Sequence, residues 1–394
     1  MTAARPPRRF YLVAACAGFA FANMAISVPL HVVATGARAA AAGDVLAAGT
    51  VAIALGALVA GMVGPRLGRG SHTLWLALAV TGLGALVLAA AAGLGLLAVG
   101  TVVVGAGIGI FWVASQQILG RRSGEADSAH GFLAHYAAYT FGGVAGSSAT
   151  GALASGVHAL GAAPVTGIRA GSALAFTLLL VALSIWRGPA AAAAGAPVVR
   201  QPAAPPSRQF AVQVPDLLLV AALALLLPLA PLVLARDFGL APFATGLVTA
   251  GVAASKIAGT FAARVIARGS GPRRTILLLL AGGTSFCLLL CAALTLSLFV
   301  TALFATALAA TGAWPLVVDQ AQARVHPGAR GELTVRWNAR EYALIAAMTL
   351  TSGWLLTTLG SAVPLFALAA FLFACSAVSA AVLLRRPVWR AETA

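Results

Sequence analysis

The chain has 394 residues, of which 61% are hydrophobic and only 9% are charged, and its mean hydropathy is +0.97. This composition excludes an ordinary soluble enzyme or binding domain and indicates an integral membrane protein. The formal net charge of +16 does not indicate nucleic-acid binding, because nearly all the basic residues are arginines scattered between apolar segments.

Apolar segments long enough to cross a bilayer recur along the whole chain. A helix needs ~20 mainly apolar residues to cross ~30 Å of hydrocarbon. We therefore predict an all-α integral membrane protein with twelve transmembrane helices, and we interpret the first apolar segment as a helix, not a signal peptide. The predicted spans are residues 10–31, 43–63, 73–92, 95–118, 130–153, 169–186, 215–235, 243–263, 274–293, 296–318, 334–357 and 363–384.

The arginines predict the orientation of these spans. With the N-terminus in the cytoplasm, the inner segments hold 21 arginines and the outer segments hold 3. Cytoplasmic loops carry an excess of basic residues. We therefore predict a multi-pass protein of the cytoplasmic membrane with both termini in the cytoplasm.

A Pro/Ala/Arg-rich segment between the sixth and seventh spans divides the chain. We predict a bundle of six helices over residues 1–187, a cytoplasmic linker over residues 188–214 and a second bundle over residues 215–394. A faint repeat supports two related halves, because shifting the sequence by 203 positions places Gln320 on Gln117 and Tyr342 on Tyr139. Asp319 then replaces Gln116, and Asn338 replaces His135.

Two short motifs accompany this arrangement. The loop after the second span reads GMVGPRLGRG, with Pro65 at the position before Arg66, and the fifth span carries spaced glycines. The residues concerned are Gly61, Arg66, Gly68 and Arg69 in the loop, and Gly142, Gly146 and Gly151 in the span. In these motifs, and in its six-plus-six arrangement, the chain resembles the major facilitator superfamily of secondary transporters. The resemblance implies two pseudo-symmetric six-helix bundles that alternate access to a substrate site near the midplane of the membrane.

Ionisable side chains at membrane depth are functional candidates, since each costs ~2.5–3.5 kcal/mol to insert. Lys256 and Glu341 are predicted to lie at similar depth, where they can form an ion pair that couples proton movement to transport. The alternatives are a static ion pair, or a Glu341 that pairs with Arg340, Arg336 or a group of the first half. His135 and Asp319 are further candidates for proton coupling. Asp216, which follows Pro215, is interpreted as an acid that complements a helix dipole.

The tenth and eleventh spans suggest an inner gate. Asp319 ends one span, and Arg336 and Arg340 share a face at the start of the next. The hypothesis is that Asp319 holds an arginine when the cytoplasmic side is shut, and the alternative is a permanent clip. Arg340 and Lys256 are also candidates for neutralising an anionic substrate.

The candidates for the substrate cavity are polar and aromatic residues of the two halves, and for each of them helix packing is the alternative. They are Asn23, Trp112, Gln116, Gln117, Tyr136, Tyr139, Trp314, Asn338, Arg340 and Tyr342.

The sequence contains no Walker loop, no metal-spaced His/Cys cluster and no nucleophile elbow. We therefore predict no enzyme activity, no cofactor and no metal, and a monomer whose partners are a small-molecule substrate, protons and the lipid bilayer, with no nucleic acid. The predicted function is proton-coupled efflux of a small organic molecule. The alternatives are proton-coupled import of an anionic or sugar-like nutrient, and a transport-inactive sensor or assembly partner.

Overall fold

The structure, a computed structural model, describes residues 8–63, 70–120, 125–186, 206–324 and 330–385. These residues form thirteen α-helices and no strand. The helices are α1 (Arg8–Ala34), α2 (Ala39–Val63), α3 (Gly70–Ala90), α4 (Leu94–Gly120), α5 (Glu125–Ala159), α6 (Pro164–Ile185), α7 (Pro206–Leu226), α8 (Ala230–Arg236), α9 (Pro242–Ser270), α10 (Pro272–Cys291), α11 (Leu296–Gln322), α12 (Arg330–Leu359) and α13 (Val363–Leu383).

The predicted spans correspond to these helices in order. The seventh span comprises α7 and α8, with Pro228 in the break between them, and each other span corresponds to one helix. Among the described residues, eleven helical segments are long and apolar enough to cross a membrane. The prediction of an all-α membrane protein is therefore confirmed. One difference is that α7 begins at Pro206, inside the predicted linker.

The helix ends follow from local chemistry. Gly271 separates α9 from α10 with φ +80°, a conformation that costs glycine little, and Pro272 begins α10 at a position where its missing N–H is not needed. Thr295 caps α11, since its side-chain oxygen accepts a hydrogen bond from the Leu298 backbone N–H at 3.4 Å. Short polar signals of this kind stop and restart long apolar helices.

The described chain divides into two compact units. The first unit contains α1 to α6, α8, α9 up to Ala254, and residues 349–357 of α12. The second unit contains α7, α9 from Ser255, α10, α11, α12 up to Met348, and α13. The predicted domain boundaries at residues 187 and 215 stay a prediction.

Glycines bring the helices of the first unit into close contact. A Cβ added at Gly142 of α5 would lie 1.8 Å from the Ala15 carbonyl oxygen of α1, and a Cβ added at Gly18 would lie 1.8 Å from the Tyr139 carbonyl oxygen. Membrane helices approach closely where small residues line the interface. Gly142 and Gly146 thus lie on the surface of α5 against which α1 packs.

Candidate functional site

Two carboxyl groups meet in the second unit, on helices that are far apart in sequence. The carboxyl groups of Asp216 on α7 and Glu341 on α12 lie within hydrogen-bonding range of each other. The indoles of Trp314 on α11 and Trp337 on α12 lie beside both carboxyl groups. The Nε1–H of Trp337 donates to Oδ2 of Asp216. We call these four residues the carboxyl–indole cluster.

Two residues of the cluster, Asp216 and Trp337, are buried, and neighbouring contacts fix their positions. Asp216 is fully buried and Trp337 is 3% exposed. Trp337 packs in an apolar group with Val212 and Leu383, and Ser376 of α13 donates a hydrogen bond to the Pro215 carbonyl oxygen at 2.6 Å. Position 216 therefore faces the interior of the unit and is held between three other helices.

The contact between the two carboxyl groups has a chemical consequence. An ionised carboxylate only accepts hydrogen bonds, whereas a protonated carboxyl group also donates one. A hydrogen bond between Asp216 and Glu341 therefore needs a proton on one of them. Two unit charges 4 Å apart would repel each other by ~4 kcal/mol at an effective dielectric constant of ~20. The arrangement is thus suited to holding one proton.

A second polar contact lies beside the cluster on α7. The guanidinium Nη1 of Arg340 donates to Oε1 of Gln213 at 2.7 Å. Gln213 is fully buried, one helical turn before Asp216. Nε2 of Gln213 and Oδ1 of Asp216 are buried without a hydrogen-bond partner among the described residues. Beside the cluster, the amide of Gln213 thus offers a donor without a described partner, and Asp216 offers an acceptor within it.

The predicted ion pair between Lys256 and Glu341 is not formed in this structure. The one ion pair among the described residues joins Arg236 to Asp237, and Glu341 instead contacts Asp216. The physical reason is that α7 places a second carboxyl group, that of Asp216, beside Glu341. The roles of Lys256 and Glu341 in proton coupling stay predictions.

The predicted gate is also arranged differently. Asp319 makes no ion pair with Arg340, which binds Gln213; the cation whose charge acts on Asp319 is Arg264 of α9. The side chain of Arg336 lies outside the described residues. The gate hypothesis therefore stays a prediction without a supporting contact. Of the loop motif, Arg66, Gly68 and Arg69 also lie outside the described residues.

In the first unit, His135 lies in an aromatic stack. Its ring lies 4.7 Å from that of Phe10 and 5.5 Å from that of Phe111, measured between centroids, and both pairs are stacked. Trp112 meets it edge to face at 5.7 Å, and Tyr139 packs on Trp112 at 4.8 Å. His135 is fully buried, and neither ring nitrogen has a hydrogen-bond partner among the described residues. This arrangement is typical of a packed ring.

The repeat relates this stack to the carboxyl–indole cluster. Under the shift of 203 positions, Phe111 corresponds to Trp314, whereas Asp216 and Glu341 correspond to Val13 and Ala138. The two acids are therefore confined to the second half. Equivalent positions in the first half carry apolar side chains.

Asn23 is held by hydrogen bonds inside the first unit. Its Nδ2 donates to Oγ1 of Thr150 at 2.7 Å, and its Oδ1 accepts from the hydroxyl of Ser172 at 3.0 Å. All three side chains are buried, so they join α1, α5 and α6 through polar contacts. This geometry favours the packing alternative for Asn23.

The other cavity candidates have varied surroundings. The hydroxyl of Thr140 donates to the backbone carbonyl oxygen of Tyr136 at 2.8 Å, and the charge of Glu341 acts on Tyr342. Gln116 is exposed, whereas Oε1 of Gln117 is buried without a described partner. Asn338 is half-buried. Their role in substrate binding stays a prediction.

Sequence reasoning missed Asp216, Gln213 and Trp337. The signal that could have identified Asp216 is the free-energy cost of burying an acid in the membrane. That cost applies because α7 begins at Pro206, so Asp216 lies well inside the helix. The interpretation of Asp216 as a residue that complements a helix dipole at the start of its span is therefore wrong. It lies eleven residues into α7, beyond the first turn where that effect acts.

Comparison with solved structures shows that two transporters share the fold of this chain. One similar structure is a bacterial homolog of the human lysosomal transporter Spinster, in an inward-facing and occupied conformation. It is 13% identical with a TM-score of 0.77, and the match covers 98% of each chain. Another is the nucleoside transporter NupG, which is 12% identical with a TM-score of 0.66, and here the match covers 95% of this chain and 97% of that one. No family model and no curated protein matches the sequence.

Proposed function

We propose that this chain is a proton-coupled secondary transporter that moves a small organic molecule across the cytoplasmic membrane by alternating access. The observation that carries this proposal is the pair of carboxyl groups, Asp216 and Glu341, which lie within hydrogen-bonding range of each other inside the second unit. The fold adds support, because the two similar structures described above are transporters.

The proton on this pair supplies a coupling mechanism. While the proton is present, the pair bears one negative charge, and α7 and α12 are joined at this point. When the proton leaves, two carboxylates face each other, and their repulsion of ~4 kcal/mol favours separation of the two helices. A difference of this size is enough to shift a two-state equilibrium by about a thousandfold. Proton binding therefore biases the choice between two arrangements of the second unit.

Efflux is the proposed direction, because the spaced glycines of the fifth span, Gly142, Gly146 and Gly151, resemble an element of antiporters in the major facilitator superfamily. Import of a nutrient is the second candidate, and one observation favours it: the NupG structure is that of a nucleoside transporter, so the fold also carries polar metabolites. A transport-inactive sensor is the third candidate. These candidates differ in whether flux occurs and in which direction.

The test begins with a thermal-shift screen of the purified full-length chain against metabolites and amphipathic compounds at two pH values. A transported compound stabilises the folded protein in proportion to its concentration relative to its Kd. Compounds that bind are then loaded into proteoliposomes, and an imposed pH gradient supplies the driving force. The variants are Glu341→Gln and Asp216→Asn, and the control is Asp44→Asn, which changes an exposed acid of α2.

We expect the pH gradient to drive flux in the wild type and in Asp44→Asn, and to drive none in the two cluster variants. The direction of substrate flux relative to the imposed pH gradient distinguishes efflux from import. Binding without flux in the wild type would identify a sensor. Gradient-driven flux in Glu341→Gln equal to that of the wild type would refute the assignment of proton coupling to this pair.

A further inference from the structure

Lys256 is the only lysine of the chain and the central residue of α9. Fourteen residues lie on each side of it, so each end of the helix is ~21 Å away at ~1.5 Å per residue. The hydrocarbon core extends ~15 Å to either side of its midplane. An extended lysine side chain is much shorter than this distance, so its ammonium group does not reach either end of α9.

The direction of the side chain follows from the helix period. Ala258, Phe261 and Val265 form an exposed apolar stripe on α9, and Lys256 lies ~180° around the helix from Val265. Thr260 and Ala263, which are buried, lie within ~40° of Lys256. The side chain therefore leaves α9 on its protein-facing side, not towards lipid. It remains half-buried, so it is accessible to a ligand.

The packing of α9 on α11 holds this position firmly. The Lys256 carbonyl oxygen accepts hydrogen bonds from the hydroxyls of Thr260 at 3.0 Å and Thr311 at 3.2 Å. A Cβ added at Gly259 would lie 2.2 Å from the Leu308 carbonyl oxygen, so the two backbones are in close contact. The lysine therefore projects from a rigid part of the second unit.

The ammonium group has no acidic partner among the described residues. No described carboxylate lies within 4 Å of it, and its side chain donates no hydrogen bond to a described residue. Glu341 is occupied by Asp216, and the charge that acts on Asp319 comes from Arg264. An isolated charge at this depth is costly, and proteins retain such charges where they pair with another group or line a substrate pathway. The ammonium group is therefore placed to bind an anion.

We propose that Lys256 binds the acidic group of the transported molecule, so that the substrate class is a small organic anion with a carboxylate or phosphate. The proposal rests on the proposed transport function. It also assigns separate tasks within the second unit, because the carboxyl pair holds the proton and Lys256 holds the substrate.

The single lysine makes a direct test possible. Full-length protein produced with carbon-13-labelled lysine gives one lysine signal by nuclear magnetic resonance, and the Lys256→Arg variant, in which that signal is absent, assigns it. The probes are two matched pairs, benzoate with benzamide and glucose 6-phosphate with glucose. Nanodiscs of phosphatidylcholine alone and with phosphatidylglycerol separate soluble anions from lipid headgroups.

We expect at least one anion to shift the Lys256 signal saturably, while its uncharged counterpart does not. In Lys256→Gln, the affinity for that anion measured by thermal shift falls by at least about tenfold, as for loss of a hydrogen bond to a charged group. The matched control is Arg268→Gln, which removes an exposed positive charge from the same helix and leaves the affinity unchanged.

Three results would overturn the proposal. One is a Lys256 signal at the position of a neutral amine near neutral pH, and another is the absence of any difference between the anionic and the uncharged member of both pairs. The third is a response to phosphatidylglycerol alone, which would assign the ammonium to a lipid headgroup. If anions bind at Lys256 but proteoliposomes show no flux, the proposed transport function is refuted and the anion site is not. Flux of an uncharged substrate that persists in Lys256→Gln refutes only the anion proposal.

Discussion

Replacing Asp216 by leucine or by asparagine separates the two properties of the carboxyl–indole cluster. Leucine is similar in size to aspartate and removes both side-chain oxygens. Asparagine keeps an oxygen that accepts from Trp337, and its amide group donates to an ionised Glu341 without a shared proton. Asp216→Leu therefore tests the hydrogen bonds, whereas Asp216→Asn keeps them and removes the proton site.

The magnitude follows from the partners that each variant leaves behind. In Asp216→Leu, the buried groups of Glu341 and Trp337 each lose a partner, and an unsatisfied buried polar group costs ~1–3 kcal/mol. We therefore expect a loss of about 3 kcal/mol in the free energy of unfolding, which lowers Tm by about 6–12 °C for a folding unit of this size. Asp216→Asn is expected to lower Tm by less than about 3 °C.

Unfolding of the purified protein can be followed with a thiol-reactive fluorophore, which reports exposure of the buried thiols of Cys16 and Cys287. The double variant Asp216→Leu with Glu341→Leu is expected to be more stable than Asp216→Leu alone, because it also removes the carboxyl group left without its partner. If Asp216→Leu melts within about 2 °C of Asp216→Asn, the hydrogen-bonded cluster does not exist as described.

Three further predictions concern the first unit. Gly142→Val places a side chain against the Ala15 backbone of α1 and is expected to cost about 3 kcal/mol or more, whereas Gly156→Val on the same helix, with open space around it, changes Tm little. Asn23→Leu removes a buried amide that joins three helices, and we expect a loss of about 1–3 kcal/mol, again measured by Tm. His135→Phe replaces a stacked ring that has no described hydrogen-bond partner. We therefore expect Tm to stay constant or rise and gradient-driven flux to persist. Loss of proton coupling in this variant would instead support His135 as a proton carrier.

The sequence predicted helix positions well because each helix depends on its own residues. An apolar segment of ~20 residues forms a helix in a membrane wherever its partners lie, since lipid offers no hydrogen bonds to its backbone. Glycine and proline at positions such as Gly271 and Pro272 set the ends. The exception was α7, where the polar residues before Pro215 were assigned to the linker although they continue the helix.

The candidate site was predicted only in part. Glu341 was identified because its charge is costly in lipid, a property of one residue. Its partner was predicted incorrectly, because Lys256 was chosen for its opposite charge and similar depth. Asp216 was overlooked, since two acids are not expected to meet unless a proton joins them.

What the sequence by itself determined is therefore the positions of the apolar spans, their order and the few residues whose charge is costly at membrane depth. These follow from composition and length, which act locally along the chain. Only the tertiary structure decided that Glu341 contacts Asp216 and that Lys256 has no acidic partner among the described residues. Such pairings depend on how α7, α9, α11 and α12 are rotated and packed against each other, and close contacts such as that of Gly259 with Leu308 fix that rotation in three dimensions.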